Sequence, residues 1–207
     1  MSDADVIVVG GGPAGASTAW HLARAGATVL LLDRDRFPRG KPCAEYLSPE
    51  ASRILHAMGA LEACEQAGGA QLAGMIVRAP DGATLRGDFA AAHGWAGFRD
   101  RGLALRRERL DAILLDRARD AGARVSEGAR ATGVLRDARG AACGVATLGA
   151  DGAAREHRAR FVVGADGIRS VVARRLGLAG RAAGPRRIAF VGQTHGRGVY
   201  RPVPVAA

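Results

Sequence analysis

Gly10-Gly11-Gly12-Pro13-Ala14-Gly15 sets glycines at the spacing G-x-G-x-x-G, and Asp33 follows about 20 residues further on. Each glycine in that pattern has its own physical task. Gly10 permits a tight turn, Gly12 lets the backbone come close to a pyrophosphate, and Gly15 lets a helix pack against the preceding strand. A phosphate held there faces the positive end of a helix that begins near Ala14, just after Pro13. The carboxylate of Asp33, at the end of the next strand, can accept both hydroxyls of a ribose. It also repels a 2′-phosphate, so the pattern favours the adenosine of FAD or NAD over that of NADP, while the neighbouring Arg34 leaves the opposite choice open. In a chain with 30 glycines the hexapeptide alone is weak, and its surroundings give it weight.

Those surroundings are two strands and a helix. Val6-Ile7-Val8-Val9 is a branched apolar run suited to a strand buried on both faces of a parallel sheet. Helical spacing runs from Ala14 to Ala25 and stops at Gly26, and Thr28 to Asp33 reads as a second buried strand. The opening is thus a βαβ unit. From Arg34 to Pro49 the chain is a polar loop punctuated by Pro and Gly, long enough to be a functional candidate. Ser48-Pro49-Glu50 is a cap, a first-turn proline and an acid that open a helix towards Met58, with a second helix following to Ala67. Pro80-Asp81-Gly82 between two extended runs signals a hairpin. Helical periodicity returns from Arg107 to Ala121. Strands are expected at Arg124–Glu127, Ala129–Arg136, Gly144–Leu148 and Arg158–Val163, then a helix from about Ile168 to Leu176. Ile188–Val191 has strand character, and the stretch from Gly196 to Ala207 has no periodicity and reads as a frayed tail.

Composition narrows the classes. The chain has 207 residues, 48% hydrophobic and 24% charged, which fits one full core, or one domain with part of a second. Its formal net charge of +10 would normally raise nucleic acid as a partner. Of the 30 basic residues only Lys41 is lysine, the arginines are scattered, and aromatics make up 4%, so no nucleic-acid partner is expected. Cys43, Cys64 and Cys143 are widely spaced, which argues against a disulfide framework or a metal site and for a reducing, cytoplasmic setting. Glycines and a proline break the uncharged stretch from Val6 to Ala23, so no integral membrane segment is expected. The five histidines show no ligand spacing, and no Ser/His/Asp triad competes for the chemistry.

Further segments complete a pattern. Phe37-Pro38-Arg39-Gly40-Lys41-Pro42-Cys43 with Leu47-Ser48-Pro49 follows the first unit, and Val163-Gly164-Ala165-Asp166-Gly167-Ile168-Arg169-Ser170 comes much later. Arg107-Glu108-Arg109-Leu110-Asp111 is a looser fourth segment. In this order the segments resemble the FAD-dependent oxidoreductases of the geranylgeranyl-reductase-like branch, related to the group A flavoprotein monooxygenases. The resemblance implies an α/β, Rossmann-like FAD-binding fold of the glutathione-reductase-like kind with part of a β-rich substrate domain. It divides the chain into an FAD-binding domain at 1–67 and 103–180 and a partial substrate segment with a disordered tail at 68–102 and 181–207.

By the same resemblance, Asp166 and Gly167 belong to a second flavin motif near the ribityl and pyrophosphate, and Arg107 is a helix-initial arginine that approaches FAD. Arg39, Lys41 and Cys43 lie in the loop that passes the flavin ring, where cations stabilise the anionic reduced flavin. Cys43 reads equally as a small buried hydrophobe. The expected reaction moves a hydride from NAD(P)H or another donor, through FAD, to a small organic substrate, with O₂ or a carbon double bond as the acceptor. The alternatives are a catalytically incomplete FAD-binding remnant and an NAD-dependent dehydrogenase. Two departures stand out. Cys43 is followed by Ala44-Glu45-Tyr46 instead of glycine, and the third, Gly-Asp-Ala-like motif is missing. Truncation is therefore expected, with an altered reading frame near Thr194 to Arg201.

Overall fold

A computed structural model describes residues 2–180 with the exception of 44 and 93. The expectations for Ile188–Val191, for Thr194 to Arg201 and for the tail lie outside the described residues. Strand β1 (Ala4–Val9) runs through the glycine turn into α1 (Pro13–Arg24), and β2 (Val29–Asp33) returns beside β1. Next come β3 (Tyr46–Leu47), α2 (Ala51–Ala57), α3 (Leu61–Gln66) and β4 (Ala70–Leu72), then the hairpin of β5 (Gly74–Arg78) and β6 (Thr84–Asp88). β7 (Gly102–Ala104) precedes α4 (Arg107–Asp120). The last elements are β8 (Arg124–Glu127), β9 (Arg130–Arg136), β10 (Ala142–Leu148), β11 (Ala154–Gly164) and α5 (Val171–Arg175).

The main sheet has six strands in the order β8-β2-β1-β11-β10-β9. β8, β2, β1 and β11 run parallel, with Val8 opposite Leu31 on one side and Val163 on the other. β11 belongs to two patterns at once. Its first half, from Ala154 to Arg158, pairs antiparallel with β10, and its second half, from Ala159 to Gly164, runs alongside β1. This is the α/β, Rossmann-like arrangement that the resemblance implies, built on the βαβ unit read from the opening residues.

The period-two alternation of a strand explains how one sheet serves two cores. Val6, Val8, Val29 and Leu31 face α1 and α4, where they meet Ala19, Leu115 and Ala118. Ile7, Val9, Leu30 and Leu32 point to the opposite face and pack with Ala131, Val145 and Val172 beneath the β9–β10 ribbon and α5. Ile7, Leu31, Leu32 and Leu115 are fully buried, each stabilising the fold by roughly 1.5–3 kcal/mol relative to exposure. A third cluster joins Ala16 of α1 to Leu55, Met58, Cys64, Leu103, Leu110 and Leu114. It fixes α2, α3 and β7 to the outer side of α1 and α4.

Four segments differ from the sequence expectations. β11 begins at Ala154, earlier than the expected Arg158, because it forms a hairpin with β10 around Asp151-Gly152. The last helix is limited to Val171–Arg175, because Ser170 Oγ accepts from the Ala173 amide at 2.9 Å and caps it there. The loop after Arg34 contains β3, which pairs with β7, and β7 also pairs with β4. α2 starts at Ala51, and Ser48 Oγ accepts from the Ala51 amide at 3.2 Å, so Pro49 and Glu50 form the turn before it. Among the described residues no helix is long and apolar enough to cross a membrane.

Candidate nucleotide-binding crevice

A crevice of about 560 Å³ opens at the carboxyl ends of β1, β2 and β11. Such a position, outside the strand ends of a parallel sheet, is where α/β folds bind nucleotides. Gly10 and Gly12 form one wall, Asp33 and Arg34 another, and Arg39, Lys41 and Asp166 close it. A smaller cavity of about 260 Å³ between Glu127, Thr147 and His157 contains none of the predicted residues.

The glycine turn has the crowding that its sequence demands. Gly10 has φ +105°, and a Cβ there would lie 2.4 Å from the carbonyl oxygen of Ala165. At Gly15 a Cβ would lie 1.8 Å from the carbonyl oxygen of Gly10, so α1 touches the turn directly. Gly12 differs. It is the residue before Pro13 at the start of α1, and a Cβ there would meet only Arg107 Nη2 at 3.6 Å and Arg39 Nη2 at 3.8 Å. An open space flanked by two guanidiniums therefore lies over the amide end of α1.

Asp33 is buried and bound to the backbone. Its Oδ2 accepts from the Gly11 amide at 2.6 Å and its Oδ1 from the Asp35 amide at 2.8 Å. The expectation of a carboxylate devoted to ribose is thus refined, since Asp33 also shapes the turn beside it. Arg39 lies over the Phe37 ring at 4.6 Å, with Nη2 3.7 Å from Asp33 and Nη1 3.0 Å from Asp111 Oδ2. Arg107 opens α4 and grips Asp111 twice, Nε to Oδ1 at 2.7 Å and Nη2 to Oδ2 at 2.8 Å. Asp111 is wholly buried. Its hydrogen bonds, above all other causes, push the Arg107 guanidinium above its ordinary value, and the Cys43 thiol adds to the rise.

At the far side, Asp166 Oδ2 accepts from the Val171 amide at 2.5 Å, and buried Oδ1 has no partner among the described residues. Gly167 has φ +82°, and a Cβ there would lie 3.4 Å from Lys41 Nζ. Cys43 is half-buried. The backbone N–H of Glu45 and then the Arg107 guanidinium lower its pKa against the opposing effect of burial. Pro13 and Ala14 begin α1, next to the crevice.

Gly10, Gly12, Asp33, Arg34, Arg39, Lys41 and Asp166 thus share one crevice, with Gly15, Arg107 and Gly167 directly behind it. Cys43 is not part of the crevice wall. Asp111 and Arg169 stand in the motif segments but received no role from the sequence, and Arg130 and Arg174 were not singled out; the three arginines line the crevice and Asp111 lies behind it, bound to Arg107 and Arg39. A crowded glycine turn, guanidiniums over a helix start, and carboxylates at both ends fit a diphosphate joined to two hydroxyl-bearing sugars.

Residues 3–195 match the family model described as an FAD binding domain. Over 177 residues the chain is 39% identical to a menaquinone reductase of Mycobacterium tuberculosis, covering 84% of this chain and 40% of that protein. It is 37% identical to digeranylgeranylglycerophospholipid reductase 2 of Methanopyrus kandleri, again covering 84% of this chain and 40% of the other. Among solved structures, the myxobacterial chondrochloren halogenase CndH, a variant of FAD-dependent halogenases, aligns with a TM-score of 0.74 at 30% identity, covering 83% of this chain and 39% of that one. The chain therefore spans about 40% of the length of the curated relatives it matches.

Proposed function

Because the chain belongs to the FAD binding domain family, we propose that it holds FAD in this crevice and serves an oxidoreductase of the reductase or monooxygenase type. The observation that carries this reading is the crevice of about 560 Å³ that runs past Gly12, Asp33 and Asp166, with Arg39 and Arg107 nearest to Gly12. FAD, when bound, supplies reversible hydride and electron transfer. The chain supplies the binding and the electrostatics. The amide end of α1 and the two guanidiniums would hold the phosphates, since aligned N–H groups and a helix start favour anions. Asp33 spends one acceptor site per oxygen on the backbone and keeps capacity for ribose hydroxyls. Asp166 Oδ1, buried with no partner among the described residues, would accept a hydroxyl from the ribityl chain. Lys41, beside Gly167, would bring positive charge towards the flavin ring, where it would favour the reduced, anionic form.

The donor is NADH or NADPH and the substrate a small organic molecule, in a cytoplasmic setting. We assign 1–67 with 103–180 to the FAD-binding unit and 68–102 to the start of a substrate-facing segment. A second reading, an FAD-binding unit without turnover of its own, draws on the exposure of Met75, Ile76, Val77 and Leu85 on the β5–β6 hairpin. One experiment separates the readings. Purified protein is incubated with FAD, passed over a desalting column and scanned for flavin absorption, then mixed anaerobically with NADH or NADPH. Retained flavin that bleaches supports the oxidoreductase, retained flavin that does not bleach supports the second reading, and a colourless protein rejects both.

A further inference from the structure

We propose that Asp111 is a positioning residue for the phosphate site, a buried carboxylate that fixes the planes of Arg39 and Arg107 over the start of α1. The inference rests on the FAD reading above and adds what holds the phosphate donors in place. Asp111 is fully buried and absent from the crevice wall, so it acts only through the side chains it holds.

Its hold on them is geometric. Arg107 engages both carboxylate oxygens, through Nε at 2.7 Å and Nη2 at 2.8 Å, and this two-point contact fixes the guanidinium plane. Arg39 gives one bond from Nη1 at 3.0 Å, while Phe37 supports its flat face. With those contacts made, Nη2 of each arginine lies beside the open space over Gly12. An unrestrained arginine loses rotamer freedom when it binds a phosphate, and one already held in place loses less.

The positive charge of the crevice comes from Arg34, Lys41, Arg130, Arg169 and Arg174 in its wall, not from this cluster. Asp33 and Asp35 lie 3.7 and 3.6 Å from Arg39, so two guanidiniums face three carboxylates and the cluster has no net positive charge. What it offers a pyrophosphate is oriented N–H groups. This gives a test by sign. Removing the Asp111 charge takes an anion away from the phosphates, so attraction by net charge requires Asp111→Asn to tighten binding, whereas positioning requires it to weaken binding.

The 207-residue wild-type protein and its Asp111→Asn variant are titrated with FAD, ADP and adenosine, after circular dichroism establishes that the variant is folded. The expected result is a rise of tenfold or more in Kd for FAD and ADP with the adenosine Kd unchanged, because adenosine has no phosphate. A general structural defect would instead weaken all three ligands together. An unchanged or lower FAD Kd in the folded variant overturns the proposal. If Asp111→Asn does not fold, Arg39→Lys decides, since it keeps the charge but cannot bind Asp111 and the phosphate space in the same plane. A tenfold weaker FAD complex supports positioning, and wild-type affinity overturns it. Failure of the wild type to bind FAD would reject the underlying cofactor reading instead.

Discussion

Two glycines of the same motif have opposite reasons for being glycine, and substituting each with alanine separates stability from binding. A methyl at Gly15 would lie 1.8 Å from a backbone oxygen, and only a shift of α1 off the turn relieves that. Gly15→Ala should therefore cost about 3 kcal/mol, lower the thermal midpoint and abolish FAD retention. A methyl at Gly12 meets nothing closer than 3.6 Å, so Gly12→Ala should fold normally yet lose FAD affinity by filling the phosphate space. Calorimetry of both variants with FAD titration checks the pair, and equal thermal midpoints for the two would count against this account. The cysteines divide in a similar way. Burial pushes the Cys64 thiol up to about 11, while Cys43 lies below its ordinary value through the Glu45 amide and Arg107. At mildly alkaline pH iodoacetamide should label Cys43 and spare Cys64, as peptide mass spectrometry would show. Cys64 also links stability to pH. In the unfolded chain the thiol ionises near 9, and in the fold not until about 11, so its stabilising contribution is complete below pH 9 and is lost as pH rises to 11. The loss is about 2–3 kcal/mol, and Cys64→Ala should flatten that part of the stability profile.

Among the elements, those with strong periodicity were legible and those held by distant partners were not. β1, α1, β2 and α4 each show an unbroken apolar pattern, and they are the elements that place Gly10 to Gly15, Asp33 and Arg107. β3, β4 and β7 are two or three residues long and exist because Gly102–Ala104 finds partners near Tyr46 and Ala70, which no local pattern reveals. Asp111 was hidden for a related reason. An acid four residues after an arginine looks the same on a solvated helix face as in a core, and only the packing of α4 against α1 decides between them. That packing depends on Leu115, fully buried among Val8, Leu31 and Ala19. Leu115→Ala should cost about 2–5 kcal/mol and, because α4 carries Arg107 and Asp111, weaken FAD binding as well. Denaturant unfolding with and without FAD would test this. A variant that loses stability but retains full FAD affinity would show that the start of α4 is held independently of its middle.

On the scale of the whole molecule, β1 and β2 at the heart of the sheet are buried while the β5–β6 hairpin is not. Every residue of β6 and most of β5 are exposed, and Val77 and Leu85, directly opposite each other, show 56% and 71% of their surface to solvent. A two-stranded hairpin is marginal on its own, and exposed apolar strands with open edges promote pairing between molecules. The protein should therefore associate as its concentration rises, by a route that bypasses the crevice, since neither strand contributes to the crevice wall. Replacing Val77 with Thr and Leu85 with Lys lowers the apolar content of one face and adds a charge that resists edge pairing. The double variant should remain monomeric in sedimentation at concentrations where the parent associates, with its FAD affinity unchanged. If it still associates, the exposed Trp95 and Phe161 become the surfaces to alter next. If association falls together with FAD affinity, the hairpin is coupled to the crevice, and the separation between the two surfaces drawn from their geometry is wrong.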